Sequence, residues 1–337
     1  MLSFATTTTA QGPLKNAISI FKGSGCRTKY ADVVAFVSFF LAYKALKEKN
    51  MEKIKNSRVK SFIFMALIYL VAIIGGILVY EVLPFNSYVS LLIADIVATA
   101  ITYLYSVIFE NASVYDPYWS VAPIVIAIYL ALSYGFSTIT ALIFIAVLFW
   151  GIRLTLNWAY TFKGLTHQDW RYTMLKEKTK KAYQLVNFVG IHLVPTLVVY
   201  SCIVPVVYAF ENELSVNFGS VYFFLMAIVA VIIQGTADIQ MHKYRKTKKT
   251  PFIRTGLWKH ARHPNYLGEI LMWWSIALMV VCASPSTWYL IIGAVANTLL
   301  FTFVSIPMAE GKQAKKEGYA EYKRETRALL PIKKFTK

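Results

Sequence analysis

The stretch Ser61-Phe-Ile-Phe-Met-Ala-Leu-Ile-Tyr-Leu-Val-Ala-Ile-Ile-Gly-Gly-Ile-Leu-Val-Tyr-Glu-Val-Leu83 carries a single charge, Glu81, and has no polar face. About 20 residues of helix cover the roughly 30 Å of hydrocarbon in a bilayer, so this run is long enough to cross one. Further runs of the same kind lie at 87–109, 118–134, 137–156, 185–210, 217–241, 267–282 and 286–308, with a weaker one at 31–43. Backbone groups in lipid must pair within their own segment, so long continuous apolar runs specify helices. The expected fold is an all-α polytopic transmembrane bundle of eight to nine membrane helices. Pro195 and Pro205 fall inside the run at 185–210, where kinks are expected.

The composition agrees. Of 337 residues 57% are hydrophobic, and mean hydropathy is +0.51, above the roughly 45–50% apolar content of soluble domains. The net charge of +18 comes from 35 basic and 17 acidic residues. Such a balance can signal nucleic acid, but no binding motif accompanies it and the charge is segregated along the chain. Segments 44–60, 157–184, 242–266 and 309–337 are basic, whereas linkers 84–86, 135–136, 211–216 and 283–285 contain no Lys or Arg. Basic loops stay on the cytosolic side, so these segments and the C-terminus are expected in the cytosol. Cys26, Cys202 and Cys282 are far apart, which predicts neither a disulfide framework nor a zinc site. No metal is expected elsewhere.

Residues 1–60 read as an N-terminal extension with a basic loop, and 61–337 as a single membrane-embedded domain. Met51-Glu-Lys-Ile-Lys has the look of a translation start, which would leave residues 1–50 outside the mature protein. The alternative is a true extra helix at 31–43, with Lys15, Lys22, Arg27 and Lys29 outside.

Polar residues in membrane segments are rare and point to function. They fall into four groups. Asn111-Ala-Ser-Val-Tyr115-Asp116-Pro-Tyr118-Trp119 links the second and third runs; Asp116 before Pro117 also fits a simple helix N-cap. Arg153, Asn157 and Tyr160 share one helical stripe, followed by His167-Gln-Asp169-Trp-Arg171-Tyr172; a bland alternative has Arg153 snorkelling to the surface. Gln234, Asp238 and Arg245 fall along another stripe, where the bland alternative is an Asp–Arg pair between helices. The densest group is Arg254-Thr-Gly-Leu-Trp258-Lys-His260-Ala-Arg262-His263-Pro264-Asn265-Tyr266-Leu-Gly268-Glu269. Pro264 suits a helix start, whose free N–H groups favour an anion, and Asn265 and Glu269 project together one turn apart.

With Arg262-His-Pro-Asn-Tyr-Leu-Gly-Glu269, Ser113-Val-Tyr-Asp116-Pro-Tyr-Trp119, Trp150-Gly-Ile-Arg153-Leu, Asp169-Trp-Arg171-Tyr172 and Ile306-Pro-Met-Ala-Glu310, the chain over roughly 90–332 resembles the DUF1295 family. That family is related to the C-terminal domain of steroid 5α-reductases, membrane enzymes that use NADPH to reduce the carbon–carbon double bond of a 3-oxo-Δ4 steroid. The resemblance implies NADPH as cofactor and a lipophilic enone arriving from the bilayer, among membrane lipids, as substrate. It implies nucleotide contacts at Gln234, Asp238 and Arg245; the reductases' Asn-aromatic-x-Gly-Glu segment matches Asn265, Tyr266, Gly268 and Glu269, of which Asn265 and Tyr266 are expected at the cofactor. Arg153, Asn157, Asp169, Arg171, Tyr172, Arg254, Arg262 and His263 are expected around the same nucleotide, the arginines matching its phosphates. For polarising the enone carbonyl the candidates are Asp116, Tyr115 and Asp95, with Glu269 at the nicotinamide.

A second reading is an S-adenosylmethionine-dependent methyltransferase, because isoprenylcysteine-type methyltransferases carry a similar His-Pro-x-Tyr motif. They usually follow it with an Arg and paired glutamates, where this chain has Ile306-Pro-Met-Ala-Glu310-Gly. A non-enzymatic lipid-binding scaffold would explain the hydrophobicity but not the polar stripes.

Overall fold

The computed structural model describes residues 49–247 and 249–331. The chain divides at Ile54/Lys55 into two units, and the second, from Lys55 onward, holds every long helix among the described residues. The run at 31–43 and Cys26 lie outside the described residues.

The first four long helices of this second unit are α1 (Arg58–Val82), α2 (Ser87–Ile108), α3 (Tyr118–Tyr134) and α4 (Thr138–Thr161). A short α5 (Trp170–Thr179) leads through a π-helical turn at Asn187–Leu193 into α6 (Val194–Glu211). Then come α7 (Phe218–Thr247), α8 (Pro264–Ala283), α9 (Ile292–Leu300), α10 (Ile306–Gln313) and α11 (Tyr319–Glu325). Among the described residues eight spans are long and apolar enough to cross a membrane: α1, α2, Ala112–Tyr134, α4, Trp170–Glu211, α7, α8 and Pro285–Gln313. The protein is a multi-pass membrane helix bundle, as the hydropathy pattern predicts.

Local sequence sets the ends. Ser57 accepts from the Lys60 amide, Asn86 from Val89, and Ser137 forms a reciprocal capping box with Thr140. Gly135, at φ 73°, ends α3 in a conformation that costs other residues more. Pro195 sits just after the π-helical turn, where its missing N–H breaks regular α pairing, so the expected irregularity lies immediately before it.

Polarity is inverted relative to a water-soluble fold. Large apolar side chains such as Leu132 (83% exposed), Phe218 (88%) and Phe303 (70%) stand outward, a surface suited to lipid and not to water. Thr99, Thr102, Gln234 and His192 are buried instead. The main core joins Trp150 and Ile143 of α4, Ile203 and Val206 of α6, Val231 of α7, and Met272, Trp273 and Ile276 of α8. Helices α7 and α8 pack closely at Gly268, where a Cβ would lie 2.6 Å from the Ala230 carbonyl oxygen. Cys202 is buried, Cys282 half-buried, and both are free thiols.

Candidate functional site

The two polar stripes read separately in the sequence face each other across α4 and α7. Arg153 donates to Asp238 Oδ2 at 2.7 Å and also to Gln234 Oε1. One turn on, Asn157 Oδ1 lies 2.7 Å from His242 Nε2, and the Tyr160 ring packs edge-on against His242 at 4.9 Å. Rising numbers on α4 meet rising numbers on α7, so the two helices run in the same direction. The Asp–Arg pair between helices is therefore real, with Arg153 and not Arg245 as its cation.

Glu269 joins this network from α8. Its Oε2 accepts from Gln234 Nε2 and Trp150 Nε1, both at 2.8 Å, and its Oε1 from Trp273 Nε1 at 2.9 Å. Three donors leave little of the carboxylate unsatisfied, which is how a membrane bundle tolerates it. One guanidinium, Arg153, thus answers two carboxylates.

Beside the network opens a cavity of about 850 Å³ lined by α4, α5, α7, α8, α10 and α11. That lies within the roughly 300–1,000 Å³ usual for small-molecule sites. Arg153, Asn157, Asp169, Arg171, Asp238, Arg245, Arg262, His263, Asn265, Tyr266 and Glu269 line it. At its buried end Asn265 Oδ1 has no hydrogen-bond partner, and the His263 and Tyr266 rings stack 5.2 Å apart, 5° from parallel. Toward the exposed end Lys312 and Lys316 join Arg245 in the lining, which also includes Trp119, Trp170 and the buried Tyr319 and Tyr322. Burial raises the Tyr319 phenol to about 12, so it remains a donor at neutral pH.

A clamp frames the cavity. Arg262 puts Nε and a terminal nitrogen on Glu310 Oε1, at 2.8 and 2.6 Å, and its other terminal nitrogen on the Thr326 carbonyl. Lys323 reaches Glu310 Oε2 at 2.7 Å, and His263 Nε2 lies 3.4 Å from Oε1. The backbone of 261–263 also pairs with 327–328 in a single parallel bridge. Trp258 donates to the Ala237 carbonyl, fixing the loop on α7. Arg262 lines the cavity with most of its donors spent on this clamp.

The remaining expected residues lie elsewhere. Asp116 caps no helix: Asn111 accepts from Ser113 N at the 3₁₀ turn Ala112–Tyr115, and Asp116 accepts from the Tyr172 hydroxyl at 2.7 Å. The Tyr115 hydroxyl meets Thr196 Oγ1 at 2.8 Å. Arg254 is exposed and pairs with Glu325 at 3.3 Å. None of Tyr115, Asp116, Tyr172 and Arg254 lines the large cavity, and Gln234 reaches it only through Arg153 and Glu269. The 111–116 turn instead holds the loop before α5: Asn111 Nδ2 donates to the Leu165 carbonyl and Asp169 N to Ser113 Oγ. Burial works to raise the Asp169 carboxyl, but the Arg171 guanidinium 2.8 Å away outweighs it and holds the group below the ordinary range.

A second, apolar cavity of about 80 Å³ lies among α1, α2 and α3. Asp95 and Tyr118 line it, the Tyr118 hydroxyl donating to Asp95 Oδ1 at 2.6 Å. Tyr118 lines this cavity and Trp119, the next residue, the large one.

Comparison with known proteins adds one finding. No curated protein and no solved structure matches the chain. A family profile described as a protein of unknown function, DUF1295, matches residues 102–326, which take in the α4/α7 network, Glu269 and the clamp. The chain belongs to the DUF1295 family.

Proposed function

We propose that the protein is a membrane-embedded, NADPH-dependent reductase of a carbon–carbon double bond in a lipophilic enone. The observation that carries this reading is the two-ended large cavity: cations without carboxylate partners at the exposed end, and an unpartnered acceptor, Asn265 Oδ1, at the buried end. A dinucleotide has phosphates for the first and a carboxamide N–H for the second. NADPH, when bound, supplies the hydride. The chain's part is to hold the nicotinamide beside Asn265 and Glu269, exclude water with Trp150, Trp273 and Tyr266, and polarise the acceptor carbonyl. For that last role the Asp95–Tyr118 pair replaces Asp116 and Tyr115 as the better candidate, because it alone of the two pairs lines an apolar cavity, and Trp119 next to it lines the large one. In this reading the basic segments and the C-terminus are cytosolic, where the nucleotide is.

A methyltransferase is the second reading, favoured by one observation: Asp238 and Glu269 outnumber Arg153 at the buried end, which suits a sulfonium cation. Thermal unfolding of the detergent-purified protein separates the two. NADPH should raise the melting temperature and S-adenosylmethionine should not; the reverse result removes the reductase. Asn265→Ala should weaken NADPH about tenfold, the loss of about one hydrogen bond of roughly 1.4 kcal/mol.

A further inference from the structure

Arg171, Arg245, Lys312 and Lys316 converge on the exposed end of the large cavity from α5, α7, α10 and the turn after it. They stand close enough that Lys316, Arg245 and Arg171 all repel the charge on Lys312, while Asp169 attracts it. Arg171 is held by Asp169 at 2.8 Å. The other three have no carboxylate within 4.0 Å among the described residues. Lys312 Nζ instead stands 4.2 Å from the centre of the Trp170 ring, a contact that keeps the cation at the cavity wall. The adjoining Gln313 lines the same cavity, and its buried Oε1 has no hydrogen-bond partner.

The nearest opposing carboxylates, Asp169 and Asp238, are already paired with Arg171 and Arg153, so three cations side by side still favour an added anion. A phosphodiester brings one negative charge and would leave most of the excess in place. A phosphomonoester brings about −1.5 to −2 at neutral pH and three strong acceptor oxygens. Arg and Lys are its natural donors. The free oxygen of Gln313 suits a hydroxyl on the group that carries the phosphate.

We propose that this end of the cavity is a phosphomonoester site with Arg245, Lys312 and Lys316 as its donors. Two ligands offer that group, the 2′-phosphate of NADPH and the headgroup of a phosphatidate. Assigning it to the nucleotide rests on the reductase reading; the phosphomonoester chemistry does not. If the nucleotide is the source, this trio makes the protein choose NADPH over NADH, which differs only in lacking that phosphate.

The experiment uses the full-length detergent-purified protein and measures the half-saturating concentration for thermal stabilisation by NADPH, NADH and dioleoyl phosphatidate. The parent should bind NADPH at least about tenfold more tightly than NADH, the effect of about one charge-assisted contact. Lys312→Gln/Lys316→Gln should lose that preference, its NADPH midpoint rising by more than its NADH midpoint, and Lys312→Arg/Lys316→Arg should keep it. Equal binding of the two nucleotides by the parent overturns the proposal and leaves the reductase reading standing. A preference that survives in the glutamine variant overturns it as well. Stabilisation by phosphatidate alone, lost in the glutamine variant, supports the site and removes the reductase. No response to any of the three overturns both.

Discussion

Arg153 is the residue on which the buried network turns. It faces two carboxylates through one direct bond to Asp238 and one relay through Gln234 to Glu269. Both members of the direct pair are 16% exposed, so removing the cation leaves a carboxylate uncompensated inside the bundle. Arg153→Leu should therefore destabilise the protein by about 3–5 kcal/mol, whereas Arg153→Met with Asp238→Leu should recover most of the loss. Denaturant or thermal unfolding in detergent checks both; a parent-like single variant would show that the pair is not desolvated. The two stripes were legible in the sequence because 100° per residue is fixed, but their pairing was not. Arg245 is in line with Asp238 yet about 10 Å further along the helix, and nothing local reveals that α4 supplies a nearer cation. Lys312 and Lys316 were hidden differently: in a chain whose segments 44–60, 157–184, 242–266 and 309–337 are all basic, two more lysines read as topology.

At the scale of elements, hydropathy located the spans and misjudged their ends. The run at 217–241 continues to Thr247 and the run at 267–282 begins at Pro264, because backbone hydrogen bonding continues past the apolar stretch that hydropathy detects. Those polar extensions of α7 and α8 carry His242, Arg245 and Asn265, so the site sits where hydropathy loses sight of the helix. The packing that brings them together depends on Gly268. A methyl there would meet the Ala230 carbonyl oxygen at 2.6 Å and Gln234 Cγ at 2.5 Å. Gly268→Ala should cost about 1–3 kcal/mol and, on the proposed reductase reading, also weaken NADPH binding, since Glu269 and Asn265 must shift with α8. Gly311→Ala is the control, because a Cβ there meets nothing within 4 Å and α10 is an ordinary helix. It should be neutral or stabilise by up to about 1 kcal/mol.

For the whole molecule, eight spans are an even number, so the two ends of the bundle return to the same side of the membrane. The parallel run of α4 and α7 agrees, since they are the fourth and sixth spans. On the charge rule that retains basic segments in the cytosol, the basic segments 44–60 and 309–337 predict that this common side is the cytosolic one. A tag inserted after residue 213 should therefore be reached only from outside, and one after residue 337 only from the cytosol; protease protection in sealed vesicles that found both on one side would overturn the arrangement. The clamp adds a matter of timing. Arg262 and His263 are fixed by Glu310, the Thr326 carbonyl and the backbone of 327–328, all made after them. Chains emerge N-terminus first at about 5–20 residues per second. The eight spans among the described residues are thus synthesised before the last wall of the cavity exists, and a chain released after about residue 315 would carry all of them into the membrane without the far side of the clamp.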